Sequence, residues 1–479
     1  MSAKIRVATL GCKVNQYETE LVRQGLRRAG FNDCQEDESA DLCIVNTCTV
    51  TNEGDSKSRQ VVRRMHRDNP DAKIVVMGCY ATRAPDEVAA LPGVVEVVED
   101  KRELPDLMSR FGVIDVPTGL DGFSGRHRAY VKVQDGCLLR CSYCVIPHVR
   151  PQLASRPQEH ILDEVMRLVD AGHREVVLTG IHLGHYGVDW NRNQPRENWI
   201  RLAHLLKDLC DIPGEFRIRL SSIEATEVTR ELISVIRNFS ERIVPHLHLC
   251  LQSGSDSVLR RMRRRWGTKM FLDRCRLLKE ALERPAITTD IIVGFPGETE
   301  EEFNETLQTC REAGFSKIHA FPFSPRRGTP AAEMPDQLDK SVKSHRVSVL
   351  TELETELRND YYQGLVGKEL EMLVESSRTI LQQNVNPSHG NRLSRIAGGE
   401  PAFQASHQPV HDSSQEQQTV RQKPDHFLSN DQQLLRGTSC RYAPVETVVG
   451  NDCSPEIGEL VRIKVLSSDG EKLQGSLLK

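Results

Sequence analysis

The first hundred residues repeat one pattern three times: a short, β-branched apolar run ends in a cysteine, and a polar, helix-like segment follows. The three cysteines are Cys12, Cys48 and Cys79, which lie 36 and 31 residues apart. Each interval matches one strand–helix–strand step. The carboxyl ends of the strands in a doubly wound parallel sheet lie along one edge, where ligands bind. The pattern therefore predicts an N-terminal doubly wound parallel-sheet domain that gathers the three cysteines at one edge.

A second group of cysteines, Cys137, Cys141 and Cys144, follows another predicted strand with the spacing C-x3-C-x2-C. Soft sulfur ligands at such short spacing select iron–sulfur clusters or zinc. A structural zinc site needs a fourth ligand, and His148 is the candidate for it. The alternative is a four-iron cluster with one iron free to bind S-adenosylmethionine, whose reductive cleavage supplies a 5′-deoxyadenosyl radical. The position of the group on a strand-ending loop favours the cluster.

The composition indicates a cytoplasmic protein that makes no membrane contact. No run approaches the roughly 18 consecutive apolar residues of a membrane span, and the first apolar run lacks the cleavage site of a signal peptide. The 14 cysteines are therefore expected to be reduced thiols or metal ligands. The net charge of −4 gives no global indication of nucleic-acid binding. Two local basic stretches, Arg59–Arg67 and Arg260–Trp266, fit either solvated helix faces or RNA contacts.

Changes of pattern along the chain divide it into three predicted domains, residues 1–117, 123–360 and 364–479. Strand-like runs alternate with helix-like segments in the second domain, which predicts a parallel barrel or half-barrel with its chemistry at the strands' carboxyl ends. The third domain is expected to be a small β-barrel. A polar interval at about residues 379–433 interrupts it and is expected to be a disordered insertion, because it has little apolar surface to bury.

Polar residues or glycines stand at or near the ends of the predicted barrel strands, where a cofactor would bind. They are candidates for contacts with S-adenosylmethionine, although each also fits a purely structural role in a strand end or turn. No side chain is identified as a general base. The candidates are Thr179, Gly180, Ser221, Glu224, Gln252 and Asp290.

The motifs of the chain resemble those of the radical S-adenosylmethionine methylthiotransferases. The resemblance rests on Thr9–Glu20 (TLGCKVNQYETE), Asp135–Pro147 (DGCLLRCSYCVIP), Leu251–Asp256 (LQSGSD) and Asp290–Glu298 (DIIVGFPGE). It implies an α/β protein with an N-terminal methylthiotransferase cluster domain, a central radical core shaped as a partial (β/α)6 barrel, and a small TRAM-like RNA-binding β-barrel. It also implies that each cysteine group holds one [4Fe-4S] cluster.

Within this family, Gly11–Tyr17 (GCKVNQY) and Arg217–Glu224 (RIRLSSIE) most resemble the branch that acts on N6-threonylcarbamoyladenosine at position 37 of tRNA. The resemblance implies an enzyme that adds a methylthio group at C2 of this base. S-adenosylmethionine would serve as both radical source and methyl donor, and the cluster at the early cysteines would hold or supply the sulfur. The implied partners are the tRNA anticodon loop and an electron donor such as flavodoxin or ferredoxin.

Other functions remain open at this point. The same chemistry could act on isopentenyladenosine in tRNA or on ribosomal protein S12, and a protein of another class could bind RNA around purely structural metal. The chain also departs from the family pattern at Pro151, where glycine is usual after the arginine. We therefore expect the loop from Arg150 to Ser155 to follow a different path.

Overall fold

The computed structural model describes residues 3–380, 432–450 and 454–478. Its N-terminal part is a five-stranded parallel sheet with the order β2-β1-β3-β4-β5. The strands are β1 (Lys4–Thr9), β2 (Asn32–Asp33), β3 (Leu42–Thr47), β4 (Lys73–Gly78) and β5 (Val94–Val97). The helices are α1 (Lys13–Arg28), α2 (Asn52–Asp68), α3 (Cys79–Arg83), α4 (Pro85–Ala89) and α5 (Leu104–Arg110).

Strand alternation explains why helices cover both faces of this sheet. Leu42 and Ile44 of β3 pack with the apolar residues of α1 and α5. Cys43 and Val45 point to the opposite face and pack with α2, α3 and α4. Successive side chains of a strand alternate between faces, so a strand that is apolar throughout needs a helical layer on each side. The sheet is therefore doubly wound, as the sequence predicts.

The central part begins after this sheet and contains eight strands. They are β6 (Arg128–Asp135), β7 (Ala154–Ser155), β8 (Glu175–Gly180), β9 (Arg217–Leu220), β10 (Ser222–Ile223), β11 (His246–Leu249), β12 (Ala286–Val293) and β13 (Lys317–Pro322). They form two sheets, β7-β6-β8-β9 and β10-β11-β12-β13, which a parallel bridge between Ile218 and Ile243 connects. All pairings are parallel except that of β7 with β6. The result is a partial barrel whose edges are β7 and β13.

A short helix, α6 (Ile146–Val149), follows β6 along the chain and packs against Cys79 of the N-terminal part. The other helices cover the outside of this partial barrel, and they are α7 (Gln158–Asp170), α8 (Leu202–Cys210), α9 (Arg230–Asn238), α10 (Asp256–Arg261), α11 (Thr268–Ala281), α12 (Glu300–Ala313) and α13 (Lys340–Gln363). Outward strand residues such as Val131, Leu178 and Ile291 form the main core with them. Residues of opposite alternation, such as Lys132 and Asp290, face inward. The interior of the barrel is consequently polar.

The C-terminal part is a closed five-stranded barrel with the order β14-β15-β16-β18-β17. Its strands are β14 (Glu369–Ile380), β15 (Gln432–Ser439), β16 (Pro444–Gly450), β17 (Leu460–Ser468) and β18 (Leu473–Leu477). Ile380 pairs with Gln432 and Thr379 with Gln433. The ends of the interval that we expected to be disordered are therefore strand residues. Residues 381–431 lie outside the described residues.

The small barrel covers the amino ends of the central strands. Arg217, the first residue of β9, donates hydrogen bonds to the carbonyl oxygens of Glu371 and Thr438. His246, the first residue of β11, stacks on Tyr442 with ring centroids 4.6 Å apart. The carboxyl ends of the strands thus remain for the site. No helix in the described part of the chain combines the length and apolar character of a membrane span.

Candidate active site

The structure brings the three early cysteines together at the carboxyl edge of the N-terminal sheet. Cys12 lies two residues beyond Leu10, Cys48 directly follows β3, and Cys79 begins α3 directly after β4. The strands β1, β3 and β4 are neighbours, so their carboxyl ends are adjacent. The charges of Cys12 and Cys79 both influence the pKa of the Cys48 thiol. We call these three residues the early triad.

Glycines allow the chain to turn sharply before two of these cysteines. Gly11 has a φ of 96° and Gly78 a φ of 100°, conformations that residues with a Cβ rarely adopt. A Cβ added at Gly11 would also lie 3.0 Å from the Sγ of Cys48, and one added at Gly78 would lie 2.3 Å from the Oδ1 of Asn46. Glycine is therefore required at both positions if the sulfur atoms are to approach one another.

The second group lies in the loop between β6 and α6, and we call it the radical triad. The backbone N–H of Cys144 donates to the carbonyl oxygen of Cys141, which closes the turn between them. A guanidinium nitrogen of Arg264 lies 3.5 Å from the Sγ of Cys141. The Nδ1 atom of His182 lies 3.6 Å from the Sγ of Cys137. Two thiols of this triad therefore have a nitrogen donor beside them.

Burial favours the protonated form of four of the triad thiols when no metal is present. It raises the pKa of Cys12 and Cys141, that of Cys48 to about 11, and that of Cys144 to about 12. A metal centre ionises the thiols that coordinate it, so binding would release protons here. The site is suited to a thiolate-ligated centre rather than to a free nucleophilic cysteine.

The spacing of the sulfur atoms argues against a single zinc ion. In the described residues, two groups have three potential ligand atoms all within 4.8 Å of one another, and neither contains a cysteine. A tetrahedral zinc ion with bonds of about 2.3 Å to sulfur needs its ligands closer than this. The two triads are therefore more open than one ion requires, which fits a multi-iron cluster. His148, the candidate fourth zinc ligand, belongs to neither group.

Two buried arginines hold the N-terminal sheet across the open side of the partial barrel. Arg150, which lies between α6 and the edge strand β7, pairs with Glu18 of α1 at 2.8 Å. Arg326, beyond the other edge strand β13, pairs with Asp55 of α2 at 2.6 Å. Both arginine side chains are 1% exposed. The early triad is thus placed over the interior of the barrel, on the side where the radical triad lies.

Direct packing also links the two triads. Cys79 of the early triad belongs to a small apolar cluster with Val145, Ile146 and Val149. This segment follows Cys144 directly, and α6 lies within it. A shift of the radical-triad loop would therefore move the wall against which Cys79 packs.

Polar groups on the barrel interior connect one triad to the other. Arg264 contacts Cys141, pairs with Glu224 and donates to the carbonyl oxygen of Cys250. The charges of Glu224 and Asp290 both raise the pKa of the Cys250 thiol, after the larger effect of burial. Asp290 in turn lies close enough to Lys13 for each charge to affect the pKa of the other group. Lys13 directly follows Cys12, so the path ends at the early triad.

Five of the six candidate cofactor contacts lie at the strand ends around this path. Thr179 and Gly180 end β8, Ser221 follows β9, and Glu224 follows β10. Gln252 follows β11, with a φ of 68°, and its backbone bonds to β12. Asp290 differs, because it lies within β12 beside His248 and His319. Its carbonyl oxygen accepts a hydrogen bond from the backbone N–H of Gln252, and its side chain lies within electrostatic reach of Lys13.

Several residues of the site were missed by the sequence analysis. His182 was overlooked although it follows Thr179-Gly180 by two positions, and that proximity was the available signal. It lies 3.0 Å from a carboxylate oxygen of Glu227. Burial opposes protonation of His182, but its hydrogen bonds with Cys137 and Glu227 prevail and raise its pKa to about 9. His185 stacks on the same ring at 3.5 Å.

Arg264 also departs from the interpretation of its segment as a solvated or RNA-binding stretch. Its side chain is 3% exposed and contacts the radical triad, whereas its neighbours Arg263 and Arg265 are exposed. A run of arginines does not reveal which one turns inward, because that depends on the left-handed backbone at Arg263, which has a φ of 58°.

Comparisons with known proteins assign the first two parts of the chain to family models. Residues 4–99 match the model described as "Uncharacterized protein family UPF0004", and residues 131–310 match "Radical SAM superfamily". Among solved structures, the chain is similar to a radical S-adenosylmethionine methyltransferase, TsrM, from Kitasatospora setae. That structure has a TM-score of 0.51 at 14% identity and covers 69% of this chain and 75% of that one. The likeness supports the fold.

Two curated relatives resemble the chain over most of its length. The "Threonylcarbamoyladenosine tRNA methylthiotransferase MtaB" of Bacillus subtilis is 44% identical over 397 residues, which cover 78% of this chain and 85% of the relative. The "tRNA-2-methylthio-N(6)-dimethylallyladenosine synthase" of Corynebacterium diphtheriae is 35% identical over 390 residues, which cover 78% and 75%. The higher identity lies with the threonylcarbamoyladenosine branch.

Proposed function

The chain belongs to the radical S-adenosylmethionine methylthiotransferases of the threonylcarbamoyladenosine branch, and on that premise we propose that it adds a methylthio group to C2 of N6-threonylcarbamoyladenosine at position 37 of tRNA. The observation that carries the proposal is the placement of two cysteine triads around one polar interior. The ion pairs of Arg150 and Arg326 create this placement. One triad would hold the radical cluster, and the other would provide a separate centre for the sulfur.

Each triad would hold one [4Fe-4S] cluster. We assign the radical cluster, which binds S-adenosylmethionine, to Cys137, Cys141 and Cys144, and the sulfur-handling cluster to Cys12, Cys48 and Cys79. When bound there, the clusters would supply electrons to S-adenosylmethionine and a site for the sulfur that is transferred, and S-adenosylmethionine would provide both the radical and the methyl group. Three thiolates per cluster fit the open geometry of both triads.

The protein's own residues would position these groups and control their charge. Arg264 donates toward Cys141 and is held in place by Glu224, so a cation remains beside the radical triad in a buried setting. His182 interacts with Cys137 and is held by Glu227. Hydrogen bonds to cluster sulfur atoms and nearby charges are the means by which a protein sets a cluster's potential.

Thr179, Gly180, Ser221, Glu224 and Gln252 remain candidate contacts for S-adenosylmethionine. Ser221 is the most suggestive, because its buried hydroxyl has no hydrogen-bond partner among the described residues. A buried hydroxyl without a partner is costly, and a bound ligand would supply one. Asp290, the sixth candidate, lies within β12, and its proposed contact is with the substrate.

The proposed substrate is the tRNA anticodon loop, whose unpaired bases can turn outward into an enzyme site. The exposed arginines of the two basic stretches, such as Arg63, Arg67 and Arg263, would contact phosphates, as would the C-terminal barrel. Such contacts give salt-dependent affinity. We further propose an electron donor such as flavodoxin or ferredoxin, and a cytoplasmic site of action where tRNA is modified.

Anaerobic reconstitution tests this proposal. Protein loaded with iron and sulfide should contain about eight irons per chain. With dithionite and S-adenosylmethionine, it should convert an anticodon stem-loop containing threonylcarbamoyladenosine to the 2-methylthio nucleoside. Nucleoside mass spectrometry detects this product. About four irons and no methylthio product would contradict the proposal.

A deletion strain separates the remaining candidate substrates. Loss of the 2-methylthio threonylcarbamoyl nucleoside from its tRNA is the expected result. The alternative result is that this nucleoside persists while the isopentenyl product or the modified ribosomal protein is lost. It would show that the chain acts on the substrate of another branch of the family. A purely RNA-binding protein would change none of these products and would not cleave S-adenosylmethionine.

A further inference from the structure

The part of the barrel interior next to the early triad carries an unusual set of polar groups. His248, Asp290 and His319 come from the neighbouring strands β11, β12 and β13, and their ligand atoms lie within 4.8 Å of one another. Nε2 of His248 is 3.3 Å from Oδ2 of Asp290. The rings of His248 and His319 are stacked at 6.0 Å. Lys13, the first residue of α1, lies close enough for its charge to act on Asp290.

Lys13 has no ionic partner in the described part of the chain. Its ammonium group makes neither a hydrogen bond nor an ion pair with a described residue, whereas the nearby Arg219 is paired with Glu175. Lys13 is accessible to solvent. An anion beside this group can therefore reach an amine that has no ion-pair partner, and a cation without a partner favours an anionic ligand.

The position of Lys13 is also unfavourable for the helix that contains it. Lys13 is the first residue of the 16-residue helix α1, whose N-cap, Cys12, makes no side-chain capping bond and whose first turn has no acidic residue. The N-terminus of a helix is electropositive, so a cation there lowers helix stability. Both the amine and the free N–H groups of this turn favour an anion at the same place.

We propose that Lys13, together with His319, binds the carboxylate of the threonylcarbamoyl group, and that Asp290 accepts a hydrogen bond from its hydroxyl or ureido N–H. This inference rests on the proposed function and names the part of the substrate that the site reads. Lys13 supplies the charge and His319 supplies an N–H donor. His248, whose Nδ1 lies 3.0 Å from the Oγ1 of Thr288 and whose Nε2 faces Asp290, orients the Asp290 carboxylate. Together these side chains orient the modified base between the two triads.

The same arrangement disfavours a prenylated adenosine. An isopentenyl group offers neither an anion for Lys13 nor a donor for Asp290, and it would exclude water from both. A site built around polar groups rejects a ligand that leaves them unpaired more strongly than an apolar site rejects an added polar group. We infer that these four residues set the preference for threonylcarbamoyladenosine.

The test compares two anticodon stem-loops that differ only in the threonyl carboxylate, which is free in one RNA and converted to an amide in the other. The reconstituted wild type, Lys13→Gln, Lys13→Arg and the matched control Lys207→Gln, an exposed lysine on the outer helix α8, are assayed on both RNAs. Binding is measured by fluorescence anisotropy, and methylthiolation by its kcat and KM.

The wild type and Lys207→Gln should prefer the carboxylate RNA. In Lys13→Gln this preference should fall about 10- to 100-fold, mainly through KM, as expected for the loss of a hydrogen bond between charged groups. Lys13→Arg should restore part of it. His319→Ala should lower the preference in the same direction, and a normal iron content in each variant shows that the fold and the clusters are retained.

Three outcomes would overturn the inference. An unchanged preference in Lys13→Gln would show that Lys13 does not read the carboxylate. An equal loss on both RNAs, with altered iron content, would assign Lys13 to the early cluster. A raised KM for S-adenosylmethionine on both RNAs would assign it to that cofactor's carboxylate. Absence of methylthio product from the wild type on either RNA would instead refute the proposed function.

Discussion

Arg150 and Glu18 form a two-pronged ion pair between the radical-triad segment and the first helix of the chain. Nη1 of Arg150 lies 2.8 Å from Oε1 of Glu18, and Nη2 lies 2.8 Å from Oε2. The same guanidinium donates to Asp135 at the end of β6 and to Asn15 of α1. One side chain therefore sets the position of the early triad relative to the strand that leads into the radical triad.

Replacing Arg150 by Met should destabilise the protein and should affect its two reactions, S-adenosylmethionine cleavage and methylthiolation, to different extents. The substitution leaves Glu18 buried without its main partner, which costs about 3–5 kcal/mol. We expect methylthiolation to fall more than S-adenosylmethionine cleavage does, because the radical triad itself is intact. Denaturant unfolding measures the loss of stability. The ratio of methylthio product to cleaved S-adenosylmethionine measures the unequal effect on the two reactions. The control Arg102→Met removes a side chain that is 66% exposed, and an equal effect of both variants would contradict the prediction.

Replacing the early triad, Cys12, Cys48 and Cys79, by alanine should leave one functional cluster. The radical triad has its own loop and its own partners, so we expect about four irons per chain and continued cleavage of S-adenosylmethionine. No methylthio product should form. Iron analysis and nucleoside mass spectrometry provide the measurement. Product formation at the wild-type rate would remove the early triad from the mechanism.

Local patterns in the sequence predicted the sheet and both triads because these features depend on neighbouring residues. A strand followed by a cysteine is visible in any one of the three repeats, and parallel topology then places Cys12, Cys48 and Cys79 together. The strands of the partial barrel could be predicted for the same reason, because each is visible as a local apolar run. The residues that hold the parts together could not be predicted in this way. Arg150 meets Glu18 across 132 positions of sequence.

Asp290 shows why the strand-end rule was incomplete. It was selected as a polar residue at or near a strand end, but it lies within β12, and its partners His248 and His319 come from the strands on either side. Their approach depends on strand register, which a single sequence does not specify. Lys13 reaches this group only because the N-terminal sheet docks on the barrel. The position of Lys13 beside Asp290 therefore depends on the packing between two domains, which local sequence patterns do not specify.

Replacing Arg264 by Gln should make the radical cluster harder to reduce. The guanidinium lies beside Cys141, and a buried cation favours the reduced, more negative cluster. Its loss should lower the midpoint potential by about 60 mV, a tenfold change for a one-electron couple. Redox titration followed by electron paramagnetic resonance measures this shift. Arg276→Gln, on the exposed face of α11, is the control, and an unchanged or raised potential in Arg264→Gln would contradict the prediction.

Glu175 should make the stability of the protein depend on pH in the acid range. Burial alone would raise the pKa of this carboxyl, but Arg219 and Arg217 outweigh burial and hold it well below its usual value. A depressed folded pKa adds stability above the unfolded pKa of about 4.3, and that stability is lost as the pH falls below it.

The variant Glu175→Gln tests this dependence. It should be less stable than the wild type by about 3–5 kcal/mol near pH 7, since three arginines lose their shared partner. The difference should shrink as the pH is lowered from 5 toward 3.5. Unfolding of both proteins is compared at each pH, so that acid effects on the clusters cancel. Glu159→Gln, on the exposed side of α7, should show no such trend, and a constant difference for Glu175→Gln would refute the assignment.

Residues 381–431 should be replaceable by a two-residue turn without loss of the C-terminal barrel. Ile380 and Gln432 are direct partners in the antiparallel pair of β14 and β15, and an Asn-Gly turn connects strands in this register. Leu435 of β15 and Val374 of β14 lie in the barrel core, so the packing that stabilises the pair is independent of the connection. We expect the melting temperature of the shortened protein to stay within a few degrees of the wild type.

As a control, Leu435→Ala in the full-length chain should lower stability by about 2–5 kcal/mol. A shortened chain that unfolds as readily as this core variant would mean that the barrel depends on the segment that was removed.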